Sequence, residues 1–281
     1  MKGRLATSTA IALVLLFGIF LLVAVVPFLP GYDPYSQNLA SSLLSPGDVS
    51  LDGRLSLLGT DTLGRDMLSR LALAGRVSLF IGFSAVIISL VIGVFLGLIA
   101  GFFRGWVENV IMGIADLQLS IPRVLLLIAI AAILGTGVFK LAILLGVTSW
   151  VGYGRIARAM ALSLREREFV LSATTQGATP IWNIRKHLLP NVLPQMLIVA
   201  SYELGQIIVL ESALSYLGLG VQPPLPSWGL MVSEGQTYLE LDPWLSILPS
   251  IALFMLVAGV QIYSQSFTSE NDMSAEIVKA R

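Results

Sequence analysis

Runs of apolar residues too long for an ordinary soluble helix alternate along this chain with short polar stretches. Leu5 to Tyr32, Val77 to Phe103 and Pro243 to Ser269 contain no Asp, Glu, Lys or Arg, and a helix needs about 20 predominantly apolar residues to cross a bilayer. Three further runs are less clean: Asn109 to Leu134, interrupted by Asp116 and Arg123; Val138 to about Ala161; and Asn191 to Tyr216, interrupted by Glu203 and Glu211. The pattern predicts an all-α polytopic membrane protein, one transmembrane domain over residues 1–281. Its six or so helices fall near 8–29, 77–103, 109–134, 138–161, 191–216 and 244–267. The first apolar run, Ala10 to Leu29, is longer than the 7 to 15 residues of a signal-peptide core and has no small-x-small cleavage site after it. It reads as a retained span.

Composition narrows the class. Of 281 residues, 56% are hydrophobic and 12% charged, about half the roughly 25% charge of soluble domains, which excludes an ordinary cytosolic enzyme. Lys and Arg number 17 against 17 Asp and Glu, where a nucleic-acid binder carries a basic excess. The absence of cysteine excludes disulfides, Cys-ligated zinc and thiol catalysis. His187 is the only histidine, so no multi-histidine metal site exists. An inward N-terminus puts 11 of the 17 basic residues on the cytoplasmic side: Lys2, Arg4, Arg104, Arg155, Arg158, Arg165, Arg167, Arg185, Lys186, Lys279 and Arg281. This is the distribution that the positive-inside rule favours. With six spans both termini are cytoplasmic, residues 30–76 and 217–243 are outer loops, and 162–190 lies inside.

Two polar segments carry more than topology. Residues 30–75 hold the turns Pro30-Gly31, Asp33-Pro34, Pro46-Gly47 and Asp52-Gly53, then GTDTLGRDMLSRLALAG from Gly59 to Gly75. Thr60 or Asp61 can cap a short helix there, with Asp66 in its first turns; on composition this is a solvated loop whose helix rests on the membrane surface. From Ala157 to Pro194, good helix formers with the pattern Arg165, Glu166, Arg167, Glu168 run up to a break at Gly177. Thr179 and Pro180 then cap and start a second helix, which should end near Leu189, before Pro190. Such a helix pair fits a groove on a partner and passes motion into a bundle; a charged loop that only holds topology gives the same spacing.

Leu162 to Pro194 resembles the EAA loop of ABC-importer permeases, with Gly177 as the motif glycine and Leu188-Leu189-Pro190 as its end. LGTDTLGRDMLSR from Leu58 and LSYLGLGVQPPLPSWGLM from Leu214 resemble the second permease of dipeptide, oligopeptide and nickel importers. Motifs and span order together cover nearly the whole chain. The resemblance implies the type I importer fold and a multi-pass protein of the prokaryotic inner or plasma membrane. The implied partners are a homologous second permease, two ABC ATPases and an extracytoplasmic solute-binding protein, with the bilayer around them and no nucleic acid. It implies a transport subunit rather than an enzyme, with no cofactor of its own: ATP and Mg belong to the ATPases, and no GxxxxGK[ST] phosphate loop occurs here. ATPase coupling is implied for Glu166, Glu168, Leu171, Ser172, Ala173, Gly177, Ala178, Pro180 and Pro190. A surface facing the binding protein is implied for Asp61, Arg65, Asp66, Arg70 and Trp228.

The chain departs from the family pattern at three places. Leu171 stands where the motif's acid belongs, and Glu168, one turn earlier, is a substitute for it. Ser56 replaces a histidine ahead of LGTD, and SQSFTSENDMSAEIVKAR replaces the usual tail.

Within the spans, Ala85, Ser89, Gly93, Gly97 and Gly101 recur every four residues, a stripe that permits close helix approach. Glu203, Gln206 and Glu211 lie in or near the membrane, where ionisable groups face a cavity or a partner; pathway lining and helix pairing both fit. Asp116 and Arg123 should share one helix face in a structural role, and His187 should belong to the second inner helix. Trp106, Trp150, Trp228 and Trp244 are expected as interfacial anchors. A secondary transporter would show paired halves with broken helices, and residues 1–140 and 141–281 show no repeat. Peptides are the expected substrate, with nickel or a nickel chelate as the alternative.

Overall fold

The computed structural model describes residues 2–50 and 53–279, without the side chains of 2–6 and 267–279. Expectations for Asp52 and Arg281, and for the side chains of Lys2, Arg4, Lys279 and most of the divergent tail, therefore lie outside what is described. The helices are α1 (Lys2–Phe20), α2 (Met67–Phe103), α3 (Gly105–Leu119), α4 (Arg123–Leu134), α5 (Val138–Thr148), α6 (Trp150–Arg165), α7 (Glu168–Thr175), α8 (Pro180–Asn183), α9 (Leu189–Tyr216), α10 (Trp228–Gln236) and α11 (Trp244–Lys279). Among the described residues, extended pairing is limited to the isolated bridges Val49–Leu55 and Thr60–Asp66.

Thr7–Phe28, Met67–Phe103, Pro180–Tyr216 and Trp244–Ser266 are long and apolar enough to cross a membrane, and the bent pair α3/α4 makes a fifth candidate. The two runs expected at 109–134 and 138–161 are interrupted. α3 and α4 meet at 91°, because Pro122 has no amide hydrogen and biases Ile121 away from helical geometry. Asp116 and Arg123 consequently do not share a face. α5 gives way to α6 at Ser149, where the Thr148 and Ser149 hydroxyls turn back onto Leu144 O at 2.8 Å and Leu145 O at 2.5 Å. Such side-chain bonds compete with the helical ladder.

Elsewhere elements expected to be separate are fused. The short helix predicted near Thr60 is the start of the 37-residue α2. Its cap is Asp66, whose carboxylate accepts from Ser69 N at 2.7 Å. Thr60 is occupied otherwise, donating to Ser41 O at 2.6 Å. The helix expected to stop before Pro190 continues instead from Pro180 to Tyr216. A π turn over Ile184–Leu188 widens the ladder just ahead of the proline, and Asn191 Nδ2 takes the His187 carbonyl at 2.6 Å.

Two compact units can be distinguished. In the unit made of Phe83–Ile130 and Ala142–Leu204, α2 and α6 approach almost backbone to backbone. A Cβ added at Gly93 would lie 2.5 Å from Trp150 O, one at Gly97 would overlap the Gly154 carbonyl, and one at Gly101 would lie 2.6 Å from Ala161 Cβ. Val94, Leu98, Tyr153, Ala157, Ala161, Val170, Leu188, Val192 and Met196 form the buried core beside this seam. α3 flanks α6 with ion pairs: Arg158 Nε to Glu108 Oε1 at 2.6 Å and Arg155 to Asp116 at 2.5 Å.

In the other unit, Met1–Gly82, Ala131–Leu141 and Gly205–Arg281, α1 packs on α11, with Gly259 against Leu16. The stretch before α2 folds on polar bonds. Asp33 accepts from the backbone N–H groups of Ser36 and Tyr35, which hold its carboxyl below the ordinary carboxylate range. Asp61 is the hub. It accepts Leu63 N and Arg65 N at 2.9 Å, Arg65 Nε at 2.6 Å and Arg70 Nε at 3.1 Å. Arg70, 2% exposed, also reaches Glu234 at 3.3 Å.

Gly97→Val should lower stability by about 3 kcal/mol through overpacking, read as a depressed melting temperature of the purified protein. Gly113→Ala, where nothing lies within 4 Å of the new Cβ, should leave it unchanged. Asp61→Ala strands two buried guanidinium groups and should cost about 3–5 kcal/mol in the same melt; an unchanged midpoint would show that Arg70 is held by Glu234 alone.

Candidate functional site: the helix pair after α6

α6 runs directly into the segment with the motif glycine. The chain turns at Glu166, and Arg167 adopts extended geometry (φ −75°, ψ 143°) before Glu168 opens α7. α7 ends in a glycine-terminated cap: Gly177 N bonds Thr174 O and Ala178 N bonds Ala173 O, both at 3.0 Å, with Gly177 at φ +91°. A Cβ there would meet nothing within 4 Å, so glycine is required for its backbone conformation and not for space. Thr179 then caps α8 by accepting from Trp182 N at 3.3 Å, and Pro180 takes the first helical position, as the sequence predicts. The arms are cross-linked where Asn183 Nδ2 donates to Thr174 Oγ1 at 3.0 Å.

Beneath the pair, Val170 and Leu188 anchor it in the core. Outward it presents apolar surface: Leu171 is 52% exposed and Trp182 45%, with Phe169 and Ile181 also open. His187 lies in the second arm, as expected, its ring 5.4 Å from Phe169 and 5.1 Å from Trp182. Ala173, Gln176, Gly177, Ala178, Thr179 and Trp182 line an open concavity of about 420 Å³.

The nine residues expected here for coupling differ in what they are free to do. Glu166 is engaged with Arg104 at 2.9 Å. Glu168 is exposed and, among the described residues, has no ion pair. Leu171 and Ser172 face outward, Ser172 accepting from Gln176 Nε2 at 3.1 Å. Ala173 and Ala178 are half-buried and serve the cap through their backbones. Pro180 and Pro190 are exposed. Phe169, Ile181 and Trp182 were not singled out from the sequence; their helical spacing from buried Val170 and Asn183 is the signal that marks them.

The residues expected to face a binding protein are placed differently. Asp61, Arg65, Arg70 and Trp228 are buried, and Asp66 is half-buried as a helix cap. Asp61 and Glu234 together balance the two arginines, and the Trp228 indole donates to Leu71 O at 3.1 Å, packed against Gly75. These side chains brace the segment and offer little surface. Trp150 is also interior, donating to Gln118 Oε1 at 3.0 Å; Trp106 and Trp244 are exposed.

The three polar residues of α9 divide. Glu203 meets Arg123 at 3.2 Å, and Gln206 is half-buried. Glu211 is fully buried, accepting from Ser215 Oγ at 2.8 Å, Ser78 Oγ at 3.0 Å and Ser212 Oγ at 3.3 Å. Ser215 could have been found at i+4 from Glu211; Ser78 gives no local signal.

Residues 93–267 match the family model described as the inner membrane component of binding-protein-dependent transport systems. The chain is 36% identical to the di/tripeptide transport permease DppC of Pseudomonas aeruginosa over 93% of its length and 84% of that protein. It is 36% identical to the oligopeptide permease OppC of Haemophilus influenzae over 90% and 79%. Against the nickel permease NikC of Escherichia coli K12 it is 34% identical over 86% and 85%. Its fold is similar to a chain of the MetNI methionine ABC transporter in an inward-facing conformation, with a TM-score of 0.57 at 20% identity over 73% of this chain and 97% of that one. With that family model matched over more than half its length and these relatives over most of theirs, the chain belongs to the family of inner membrane components of binding-protein-dependent transport systems.

Proposed function

We propose that this chain is the permease subunit of an ATP-driven importer for di- or oligopeptides and forms half of the pathway with a homologous second permease. The observation that carries the reading is the capped helix pair at the end of α6, whose outward face is apolar and unfilled. A free-standing channel or carrier has no need of such a surface. Two ATPase subunits, holding ATP and Mg, would seat Phe169, Leu171 and Trp182 and push α6 as they close. Glu168, exposed and unpaired, supplies the carboxylate that Leu171 lacks. In this reading Lys2, Arg104, Arg158 and Arg185 are cytoplasmic along with both termini. The segment braced by Asp61 and Arg70 faces outward, where a solute-binding protein docks. Peptide is favoured by the relatives named for di-, tri- and oligopeptides; the nickel permease at nearly equal identity supports a nickel chelate as the second reading.

The complex purified with its binding protein and reconstituted in lipid should hydrolyse ATP faster with peptide than with nickel, and the reverse order would transfer the assignment to nickel. Glu168→Lys should lower ligand-stimulated hydrolysis about tenfold, the worth of one charge-assisted contact. Deleting Thr175 to Thr179 should leave membrane insertion intact and abolish co-purification of the ATPases; full ATP-driven uptake by the deletion would sink the coupling role.

A further inference from the structure

Arg123 and Glu203 stand apart from the other ion pairs of the membrane-spanning part. Arg123 is the first residue of α4, just past the 91° bend from α3. Its Nη2 donates to Ser149 Oγ at 2.6 Å, in the break between α5 and α6, and to Glu203 Oε1 on α9 at 3.2 Å. Two interrupted helices and two opposite charges thus meet at one point. Beside it Gln118 Nε2 donates to Thr148 O at 2.5 Å, extending the polar cluster across the same two breaks. Irregular backbone at membrane depth is tolerated where it is buried in protein or lines a water-filled cavity. This pair is not sealed: the Arg123 side chain is 36% exposed and that of Glu203 18%. The guanidinium is also under-used. It has five N–H donors, Nη2 makes both hydrogen bonds, and the buried Nε has no partner.

We propose that Arg123 and Glu203 form a transit site for a zwitterionic ligand, a short peptide with free termini, whose carboxylate takes Arg123 while its ammonium takes Glu203. This rests on the peptide reading above and goes beyond it by naming the groups in the membrane that meet the cargo. Charge balance favours it. Inserting a zwitterion opens one ion pair and makes two, so no uncompensated charge is left in a medium where one is expensive. Reclosure of the pair behind the departing ligand restores the starting state. The exchange gives weak, reversible contact, which suits passage better than retention.

The test is saturation-transfer NMR on the nucleotide-free complex in lipid nanodiscs without binding protein, using trialanine and N-acetyl-trialanine amide as probes. Wild type should transfer saturation to trialanine and at least about tenfold less to the blocked peptide, which lacks both charges. Arg123→Gln should remove the trialanine signal, and Arg123→Lys, which keeps the cation, should retain it. Glu203→Gln keeps an acceptor for Arg123 while deleting the anion, and should weaken the signal by a similar factor even if Arg123→Gln fails to assemble. Equal signals from the two probes in wild type, or a trialanine signal unmoved in an assembled Glu203→Gln complex, would overturn the site. Uptake of trialanine by the wild-type complex with its binding protein is measured separately. Its absence would overturn the peptide reading itself, whereas uptake with no Arg123 or Glu203 dependence of binding overturns the transit site alone.

Discussion

The approach of α2 to α6 is the contact on which the rest of this unit depends. Lipid tails are as apolar as leucine side chains, so helices in a membrane gain little by burying apolar area and associate through close packing and polar bonds. Gly93, Gly97 and Gly101 remove every Cβ from one side of the seam, and Gly154, Ala157 and Ala161 keep the other side small. Backbone then meets backbone over several turns. α6 is held there as an element of 16 residues, about 24 Å long at 1.5 Å per residue. Its last turn delivers Glu168 and the helix pair, and its first turn adjoins the polar break at Ser149. A seam with longer side chains would leave α6 free to pivot, and displacement at one end would not arrive at the other.

Charge is used sparingly and mostly in pairs. Arg155 with Asp116, Arg158 with Glu108 and Arg104 with Glu166 lie along or beside α6; the first and third are exposed, which keeps them weak, while Arg158 and Glu108 are half-buried. The Asp61 hub is of another kind. Its partners are buried, and such a pair contributes more to specifying one arrangement than to net stability, since desolvation offsets much of the attraction. Glu211 has hydroxyl groups in place of a cation. Three serine donors from two helices spread its demand for hydrogen bonds over short, light side chains that cost little entropy to order.

Much of this was legible in the sequence, and the reasons for the failures are physical. The uncharged runs gave the long helices, because length and apolarity are local properties. The every-fourth small residues gave the seam, since that spacing repeats one helix face. Gly177, Thr179 and Pro180 were read correctly because each acts locally, Gly177 and Pro180 through backbone conformation and Thr179 through a side chain that caps the helix it precedes. What escaped was set by partners distant in the chain. Asp61, Arg65, Arg70 and Trp228 look like an outer surface until Glu234 and Leu71 O are brought to them. Trp150 looks like an interfacial anchor until Gln118 takes its N–H. The prolines misled in opposite directions: Pro122 breaks a run that reads as one span, while Pro190 fails to break one that reads as two. The difference lies in whether neighbouring backbone can find other donors, which no single residue type discloses.

The π turn at Ile184–Leu188 has a consequence for azimuth. Successive residues of an α-helix are rotated by about 100° around its axis, so a turn that accommodates one additional residue resets the phase of everything beyond it. The arm with Trp182 and the segment with Glu203 belong to one continuous rod, yet the faces they present are offset by that insertion. Were the ladder regular, Glu203 would point about a quarter-turn away from where Arg123 waits. The widened turn is therefore the gear setting of this helix: it allows one rigid element to show its aromatic side to one neighbour and its carboxylate to another.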